Sequence, residues 1–337
     1  MSIDVAIVGA GPCGLAAAIS ARNAGLDAVV FDAACVVSSI TQYPTYASFF
    51  STAEKLSLGG LPFVTAGEKP TRRDALAYYR AVVRHFDIPV RQYERVTRIG
   101  GQNGAFTIHT SRRGVERETE ARAVIVATGY WGSPNRLGVP GEDLPHVTHA
   151  YREGHAAFRQ NAVIVGGGNS AAEAALDLWR SGARVTLVHF GPTFDKKIKP
   201  WVLPDFSNRV AEGSITAIWN SRVTAIGSED VTLCSTDGTT STIPADHIFL
   251  MTGFAPNVDL LRQVGVSISP ATGIPVHDPA TLETDVPGIF VAGVVIAGYD
   301  ANKVFIENGR FHGDQIVARI LGRPAPPPAR VSRDLDS

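Results

Sequence analysis

The sequence predicts an α/β fold with two Rossmann-like domains, each a three-layer arrangement of helices on both faces of a parallel sheet. An apolar strand at residues 3–8 runs into a glycine-rich turn at residues 9–14 (GAGPCG). The same order returns at residues 162–165 and 166–171 (GGGNSA). A strand, a glycine turn and a helix in this order are typical of dinucleotide-binding folds. Two copies therefore predict two dinucleotide-binding domains.

The remaining elements follow from short apolar runs and from the glycines that end them. Gly25 and Gly182 each end a run of helix-forming residues. Three further apolar strands end in small-residue turns, where the chain is expected to cross between domains. The predicted elements, in order, are strand 3–8, helix 15–24, strand 28–31, strand 124–129, strand 162–165, helix 172–181, strand 184–188, strand 248–253, strand 288–293 and helix 302–321.

The first glycine turn has the residue types that a bound pyrophosphate requires. Gly9 permits the tight turn, Gly11 lets the backbone approach the phosphates, and Gly14 lets the helix pack on the strand. Asp32 ends the next strand, where a carboxylate accepts hydrogen bonds from ribose hydroxyls. The binding residues predicted for this copy are Gly9, Gly11, Pro12, Cys13, Gly14 and Asp32.

The second copy differs at the position that faces the adenosine ribose. Counted from the first glycine of each turn, Asp32 and His189 both lie 23 residues further on. A carboxylate there would repel a 2′-phosphate, so its absence favours NADPH over NADH. His189, with Lys196 and Lys197 nearby, could donate to that phosphate; the alternative is a solvent-exposed histidine at a strand end. The binding residues predicted for this copy are Gly166, Gly168, Asn169, Ser170, Ala171, His189, Phe190 and Lys197.

Composition and charge exclude several other classes of protein. The 337 residues carry 31 Lys and Arg against 32 Asp and Glu, a net charge of -1, so nucleic acid is not an expected partner. We find no apolar run of the roughly 18 residues that a membrane helix needs, and we expect a cytoplasmic protein. Cys13, Cys35 and Cys234 form no CxxC spacing, which argues against a disulfide framework, a thiolate metal site and a dithiol redox centre.

The order of these motifs resembles the two-dinucleotide-binding-domain flavoproteins of the thioredoxin reductase type. GAGPCG, ATG, GGGNSA, MTG and GIFVAG follow one another as in that family, over nearly the whole chain to about Gly322. The resemblance implies a discontinuous FAD-binding domain at residues 1–133 and 252–322. It implies an NADPH-binding domain at residues 134–251, followed by a proline-rich tail at residues 323–337.

The same resemblance assigns further residues to the flavin. Val96 looks like the backbone contact to adenine. The strand ends at Ala127 and Gly293 resemble turns beside the cofactor, and a helix beginning at Asn302 would point its amides at the pyrimidine edge of the flavin. The flavin residues implied in this way are Gln42, Tyr43, Val96, Ala127, Thr128, Gly129, Gly293, Val294, Asn302, Lys303 and Val304.

Three departures from thioredoxin reductases narrow the resemblance. Cys234 stands alone where those enzymes carry a CxxC, and Val294 follows the last AG where an acid is usual. The chain also carries the blocks SITQYP, FFSTAEKL, IKPWVLP and IENGRFHG, which are similar to the YpdA-type bacillithiol disulfide reductase family. This resemblance implies an NADPH-dependent FAD enzyme that reduces the disulfide of a low-molecular-weight thiol.

Several of these residues have an ordinary structural explanation as well. Cys13 could form a mixed disulfide with the substrate, or it could be a small residue that fits a crowded turn. Tyr43 could flank the flavin or fill a satellite core. Asn169 and Ser170 are helix-capping residue types whether or not a phosphate binds.

A second function and a homo-oligomer also have to be considered. A ferredoxin or flavodoxin NADP reductase would have the same two domains, would pass single electrons to a protein and would need no cysteine. The tail RPAPPPARVSRDLDS has the composition of a disordered segment unless a neighbouring subunit holds it. We therefore expect a homo-oligomer.

Overall fold

The computed structural model describes residues 2–195, 198–300, 303–324 and 326. Lys196, Lys197 and Asn302, named above, lie outside the described residues, as does most of the tail. The chain forms two compact units. Unit 1 comprises Met1–Thr41, Ser48–Ser133 and Phe254–Ser337, and unit 2 comprises Gln42–Ala47 and Pro134–Gly253.

Unit 1 is built on a mixed sheet with helices packed against it. Its strands are β1 (Ile3–Val8), β2 (Ala28–Phe31), β3 (Val90–Arg91), β4 (Arg95–Gln102), β5 (Ala105–Arg112), β6 (Val115–Val126) and β15 (Ile289–Val291). Its helices are α1 (Pro12–Asn23), α2 (Ser38–Thr41), α3 (Ala53–Leu56), α4 (Arg72–His85), α7 (Asp259–Gln263), α8 (Ile306–Gly309) and α9 (His312–Ile320).

The order of strands in this sheet brings the glycine turn to the carboxyl ends of its parallel strands. The order is β3-β2-β1-β6-β5-β4, and β15 pairs with β6. β1 runs parallel to β2 and β6, and β15 runs parallel to β6, whereas β4, β5 and the first half of β6 form an antiparallel meander. The turns after β1, β6 and β15 therefore lie at one edge of the sheet, where ligands bind in such folds.

Unit 2 contains a parallel sheet and a smaller antiparallel one. Its strands are β7 (Val147–Thr148), β8 (Asn161–Val165), β9 (Arg184–Val188), β10 (Ile215–Ile218), β11 (Ser221–Ile226), β12 (Asp230–Ser235), β13 (Thr240–Pro244) and β14 (His247–Leu250), and its helices are α5 (Asn169–Arg180) and α6 (Leu203–Ala211). The parallel order is β10-β9-β8-β14-β7, and the antiparallel order is β11-β12-β13.

Alternation along β8 explains why unit 2 is layered on both faces of its parallel sheet. Ala162 and Ile164 belong to one buried cluster, which includes the inner face of α5. Val163 and Val165 belong to a second cluster, shared with the antiparallel sheet. Successive side chains of a strand point to opposite faces, so an unbroken apolar run predicts a strand covered on both sides.

The predicted fold class is confirmed, with one element wrong. The strands predicted at 3–8, 28–31 and 184–188 have the observed bounds. The single helix predicted over residues 302–321 is not present as such: the chain forms the short α8 and then α9. Among the described residues, none of the helices has both the length and the apolar character that crossing a bilayer requires.

A side-chain cap determines where α8 starts. The Asn308 amide oxygen accepts the Phe305 N–H at 2.7 Å, and the Asn308 amide nitrogen donates to the Lys303 carbonyl at 3.0 Å. These bonds hold Phe305 extended, with φ -122 and ψ -174, so that helical geometry begins only at Ile306.

Candidate functional site

The first glycine turn is held together by backbone contacts that no side chain could replace. Gly9 has φ +112, and a Cβ added there would overlap with the Ala127 carbonyl oxygen. A Cβ at Gly14 would overlap with the Gly9 carbonyl oxygen. Gly11 differs, because a Cβ there would meet nothing within 4 Å. The turn is thus closed towards the sheet and open at Gly11, which fits the approach of a pyrophosphate to the amides at the start of α1.

Asp32 supports this turn with both carboxylate oxygens. One oxygen accepts the Ala10 N–H at 2.8 Å, and the other accepts the Ala34 N–H at 2.7 Å. Burial raises the pKa of Asp32, while these two hydrogen bonds and Arg95 act in the opposite direction. A carboxylate oxygen has further lone pairs, so Asp32 can still accept from a ribose hydroxyl.

Cys13 lies at the meeting point of α1 and the C-terminal part of unit 1. A Cβ at Gly309 would lie 2.6 Å from the Cys13 sulfur, and one at Gly293 would lie 3.1 Å from it. The residue as a whole is only partly buried, but its sulfur is enclosed by these two backbone segments. Burial raises the pKa of Cys13 to about 12, and the Glu307 carboxylate adds to the rise. At neutral pH this group is therefore a thiol.

His312 fixes the turn that packs against Cys13. Its Nδ1 accepts the Gly293 N–H at 3.0 Å, so the proton of the neutral ring is carried by Nε2. Burial lowers the pKa of His312 to about 4, and the neighbouring His277 acts in the same direction. The histidine therefore stays neutral above this pH and keeps its acceptor aimed at Gly293. The sequence could not place His312, because 19 residues separate it from its partner.

Two side chains of the IENGRFHG block join α8 to the segment around α3. Arg310 Nη1 donates to the Glu54 carbonyl at 2.8 Å, to the Ser57 carbonyl at 2.7 Å and to the Ser57 hydroxyl at 3.1 Å. Glu307 accepts a hydrogen bond from the Ser51 hydroxyl. Both contacts hold α8, and with it Gly309, against the Cys13 sulfur. Sequence reasoning missed them because more than 250 residues separate the partners.

The other predicted flavin residues lie in different environments. Val96 is buried in β4, and Ala127 is buried at the end of β6. Thr128 is exposed, and Gly129 has φ +70 with open space at its Cβ position. Val294 is partly buried, Lys303 is exposed and Val304 is buried. Gln42 and Tyr43 group with unit 2, where the Thr45 N–H donates to the Arg152 carbonyl at 2.8 Å.

The second glycine turn repeats the construction of the first. Gly166 has φ +148, and a Cβ there would overlap with the Met251 carbonyl oxygen. Ala171 stands where the first copy has Gly14, and it is fully packed. Gly168 is the N-cap of α5. The free backbone amides in the first turn of this helix therefore face the glycine-rich segment before it. These residues fit a second dinucleotide.

His189 is buried beneath this turn and is not a solvent-exposed histidine. It is 4% exposed, and a Cβ at Gly167 would lie 2.6 Å from its Nδ1. Among the described residues Nδ1 has no hydrogen-bond partner. Asp195 reaches the same turn: its Oδ1 lies 3.7 Å from His189 Nε2, and its Oδ2 would lie 3.4 Å from a Cβ at Gly168.

The capping interpretation of Asn169 and Ser170 is wrong. α5 begins at Asn169, so both residues lie inside the first turn, and Gly168 caps the helix without a side-chain bond. The Asn169 side-chain oxygen instead accepts the Lys199 N–H at 3.1 Å and ties the segment after β9 to the helix. Ser170 is exposed at the start of the helix.

Phe190 follows β9 and is exposed, with 58% of its surface accessible. The guanidinium of Arg222 lies over its ring, 4.7 Å from the centroid. Sequence reasoning missed Arg222, because it comes from β11 and is 32 residues away from Phe190.

Comparison with known proteins agrees with two dinucleotide-binding units. Residues 6–293 match the model of the pyridine nucleotide-disulphide oxidoreductase family. The chain belongs to this family, and the predicted cofactors, FAD and NADPH, are confirmed.

Individual relatives show which members of this family the chain resembles. The bacilliredoxin reductase Bdr of Bacillus subtilis (strain 168) is 45% identical over 318 residues, 94% of this chain and 97% of that protein. The solved bacillithiol disulfide reductase Bdr (YpdA) from Bacillus cereus is 43% identical, with a TM-score of 0.92 over 96% of this chain and 99% of that one. A ferredoxin–NADP reductase of Gluconobacter oxydans (strain 621H) is 32% identical over 93% of this chain and 89% of that protein. The resemblance to the YpdA-type family is thus confirmed.

Gly11 and Gly14 of the first turn should respond differently to the same substitution. Gly11→Ala should leave the free energy of unfolding of the FAD-free protein within about 1 kcal/mol of the original, because its φ of -72 suits any residue and the Cβ has room. It should weaken FAD binding, because that room is where the pyrophosphate approaches. Gly14→Ala should cost about 3 kcal/mol, because its Cβ overlaps with backbone. Denaturant unfolding and FAD titration measure both; equal losses of stability would contradict the assignment.

His312 predicts a loss of stability in acid. Its folded pKa of about 4 lies below its ordinary value of 6.5, so the unfolded chain takes up the proton first. Stability should therefore fall as the pH drops from about 6.5 to about 4, by on the order of 3 kcal/mol from this group. His312→Asn keeps an acceptor for Gly293 but cannot titrate, and should remove this part of the slope. His155→Asn, at an exposed position in unit 2, is the control; an unchanged slope in His312→Asn would contradict the prediction.

Proposed function

We propose that this protein is an FAD-dependent reductase that uses NADPH to reduce the disulfide of a low-molecular-weight thiol of the bacillithiol type. The observation that carries the proposal is the position of Cys13 at the start of α1, within the turn where the pyrophosphate of the first dinucleotide would bind. The Bacillus cereus relative, which matches over nearly its whole length, is a bacillithiol disulfide reductase by name. A cytoplasmic location and a homo-oligomer remain predictions.

The residues of unit 1 would hold FAD as the three-glycine turn suggests. The amides at the start of α1 and the open side of Gly11 would face the pyrophosphate, and Asp32 would accept from the adenosine ribose. Gly129 and Gly293 end neighbouring strands at the same edge of the sheet, so their backbone would line the cofactor. Bound FAD supplies the two-electron step, in which a hydride leaves NADPH and electrons reach the disulfide.

Cys13 would form the covalent link to the substrate. Its thiol loses a proton, the sulfur attacks one sulfur of the substrate disulfide, and the substrate S–S bond breaks. The first half of the substrate leaves as a thiol with that proton, and the second half stays bound to Cys13. Two electrons and two protons then release the second thiol and restore Cys13. The raised pKa of Cys13 means that a proton acceptor must assist the first step.

The second glycine turn would hold NADPH. Gly166, Gly168 and the first turn of α5 would face its pyrophosphate, and the segment after β9 would face its adenosine. The ferredoxin–NADP reductase alternative requires the same turn, and one relative carries that name. The disulfide reductase is favoured over it, because the more similar relatives are named for bacilliredoxin and bacillithiol disulfide.

Replacing Cys13 separates the two functions. In Cys13→Ala, NADPH should still bleach the flavin under anaerobic conditions, because the hydride transfer does not use the thiol. Turnover of bacillithiol disulfide should fall by a factor of a hundred or more, because no mixed disulfide can form, as a loss of nucleophilic catalysis implies. Stopped-flow absorbance and a thiol assay measure the two steps.

The other two cysteines provide matched controls. Cys35 and Cys234 are also free and partly buried, and Cys35→Ala and Cys234→Ala should keep full turnover. Full disulfide reduction by Cys13→Ala would remove this thiol from the mechanism. Rapid reduction of ferredoxin or flavodoxin by the same variant would then favour the electron-transfer function.

The position of Asp195 predicts that its replacement by a neutral residue raises the affinity for NADPH. Its carboxylate faces Gly168, where the negatively charged pyrophosphate would approach. Asp195→Asn should therefore tighten NADPH binding about threefold at low salt, because the residue is half exposed and its field is screened. Glu229→Gln, at an exposed position between β11 and β12, is the control. Titration calorimetry measures both dissociation constants; unchanged or weaker binding in Asp195→Asn would contradict the prediction.

A further inference from the structure

An exposed arginine and an exposed phenylalanine stack at the end of β9 in unit 2. The Arg222 guanidinium lies 4.7 Å from the centroid of the Phe190 ring. Both side chains are exposed to solvent. A guanidinium that lies over an aromatic ring keeps its edge free to donate hydrogen bonds.

Backbone hydrogen bonds fix this arginine beside the loop that follows β9. The Ser221 N–H donates to the His189 carbonyl at 3.1 Å, and the Asn220 N–H donates to the Gly191 carbonyl at 3.0 Å. The start of β11 is thereby tied to both sides of Phe190. Arg222 is the second residue of β11, so the antiparallel sheet brings it to the carboxyl end of β9.

Arg222 is also electrostatically available. Within residues 2–195, 198–300, 303–324 and 326, no carboxylate lies within 4 Å of its guanidinium, whereas Arg180 and Arg209 in the same unit are paired with Asp205. The acid that would occupy the ribose-facing position in an NADH-binding turn is absent, since His189 is there and is buried. The end of β9 therefore carries a positive charge that no described side chain neutralises.

We propose that Arg222, held on the Phe190 ring, binds the 2′-phosphate of NADPH and determines the preference for NADPH over NADH. A planar guanidinium can donate two parallel hydrogen bonds to a phosphate, and the end of β9 is where the adenosine ribose lies in a dinucleotide-binding unit. This role deepens the proposed function and rests on it. His189 then supports the turn from below, and the phosphate contact comes from β11.

The test uses fragments of the cofactor, so that it does not depend on turnover. Calorimetry on the FAD-loaded protein would measure binding of 2′,5′-ADP, which carries the 2′-phosphate, and of 5′-AMP, which lacks it. Arg222→Gln should weaken 2′,5′-ADP binding about 10- to 100-fold, the loss expected for charge-assisted hydrogen bonds, and leave 5′-AMP binding unchanged. Arg222→Lys should fall between the two, because an ammonium keeps the charge but not the two-pronged geometry.

Two further variants separate recognition from a structural effect. Arg180→Gln removes an exposed arginine of the same unit and should bind both fragments as the original protein does. Phe190→Ala keeps the charge but removes the ring beneath it, and should weaken 2′,5′-ADP binding severalfold. In steady-state kinetics, Arg222→Gln should raise the KM for NADPH and leave the KM for NADH unchanged.

The outcomes distinguish this inference from the proposed function. Unchanged 2′,5′-ADP binding in Arg222→Gln, or an equal loss of both fragments, would overturn the role of Arg222 and leave the reductase proposal intact. If the original protein binds neither fragment and NADPH does not bleach its flavin, both proposals are overturned.

Discussion

The whole candidate site depends on a backbone-to-backbone contact that only glycine allows. At Gly9 and Gly14 the turn after β1 packs against Ala127 and against itself with no room for a Cβ. This contact brings the start of α1 to the end of the sheet, and it places Cys13 against the turns of the C-terminal segment. Gly166 makes the same contact with Met251 in unit 2. Because each turn packs this closely against neighbouring backbone, glycine is required at fixed positions, and the spacing can be recognised in the sequence.

Features that depend on local periodicity could be predicted, and features that depend on distant partners could not. Strands such as β1, β2 and β9 are short apolar runs bounded by turns, and their bounds follow from the residues themselves. The partners of Arg310 and Glu307 lie more than 250 residues away, and a sequence contains no signal for which backbone carbonyl an arginine will reach. The environment of Cys13 belongs to this second class. The raised pKa comes from burial by Gly293 and Gly309, whereas the helix N-terminus alone would have suggested a lowered one.

The broken C-terminal helix shows why a correct pattern can still give a wrong element. Residues 314–321 are mostly helix formers, but Asn308 bonds back to residues 303 and 305, and helical geometry starts only at Ile306. Polar side chains that compete for backbone groups are common at helix starts, so this late start is physically ordinary. In the observed arrangement Gly309 packs against the Cys13 sulfur, and His312 accepts from Gly293. One continuous helix would have a different set of neighbours at these positions.

Asp32 and His189, each 23 positions after the first glycine of its turn, both support the glycine turn from below. In the first copy, Asp32 accepts the Ala10 N–H from below the turn. In the second, the His189 ring occupies the same place and packs under Gly167, where even an alanine methyl would be too close. Ala10 and Gly167 occupy equivalent positions in the two turns. The Asp32 carboxylate leaves room for the alanine methyl, whereas the His189 ring leaves room only for glycine. A support that is buried beneath the turn is poorly placed to select a 2′-phosphate on the outer side of the ribose. We therefore infer that selection at the second site comes from an exposed group beyond the motif, and Arg222 on β11 is exposed and positively charged.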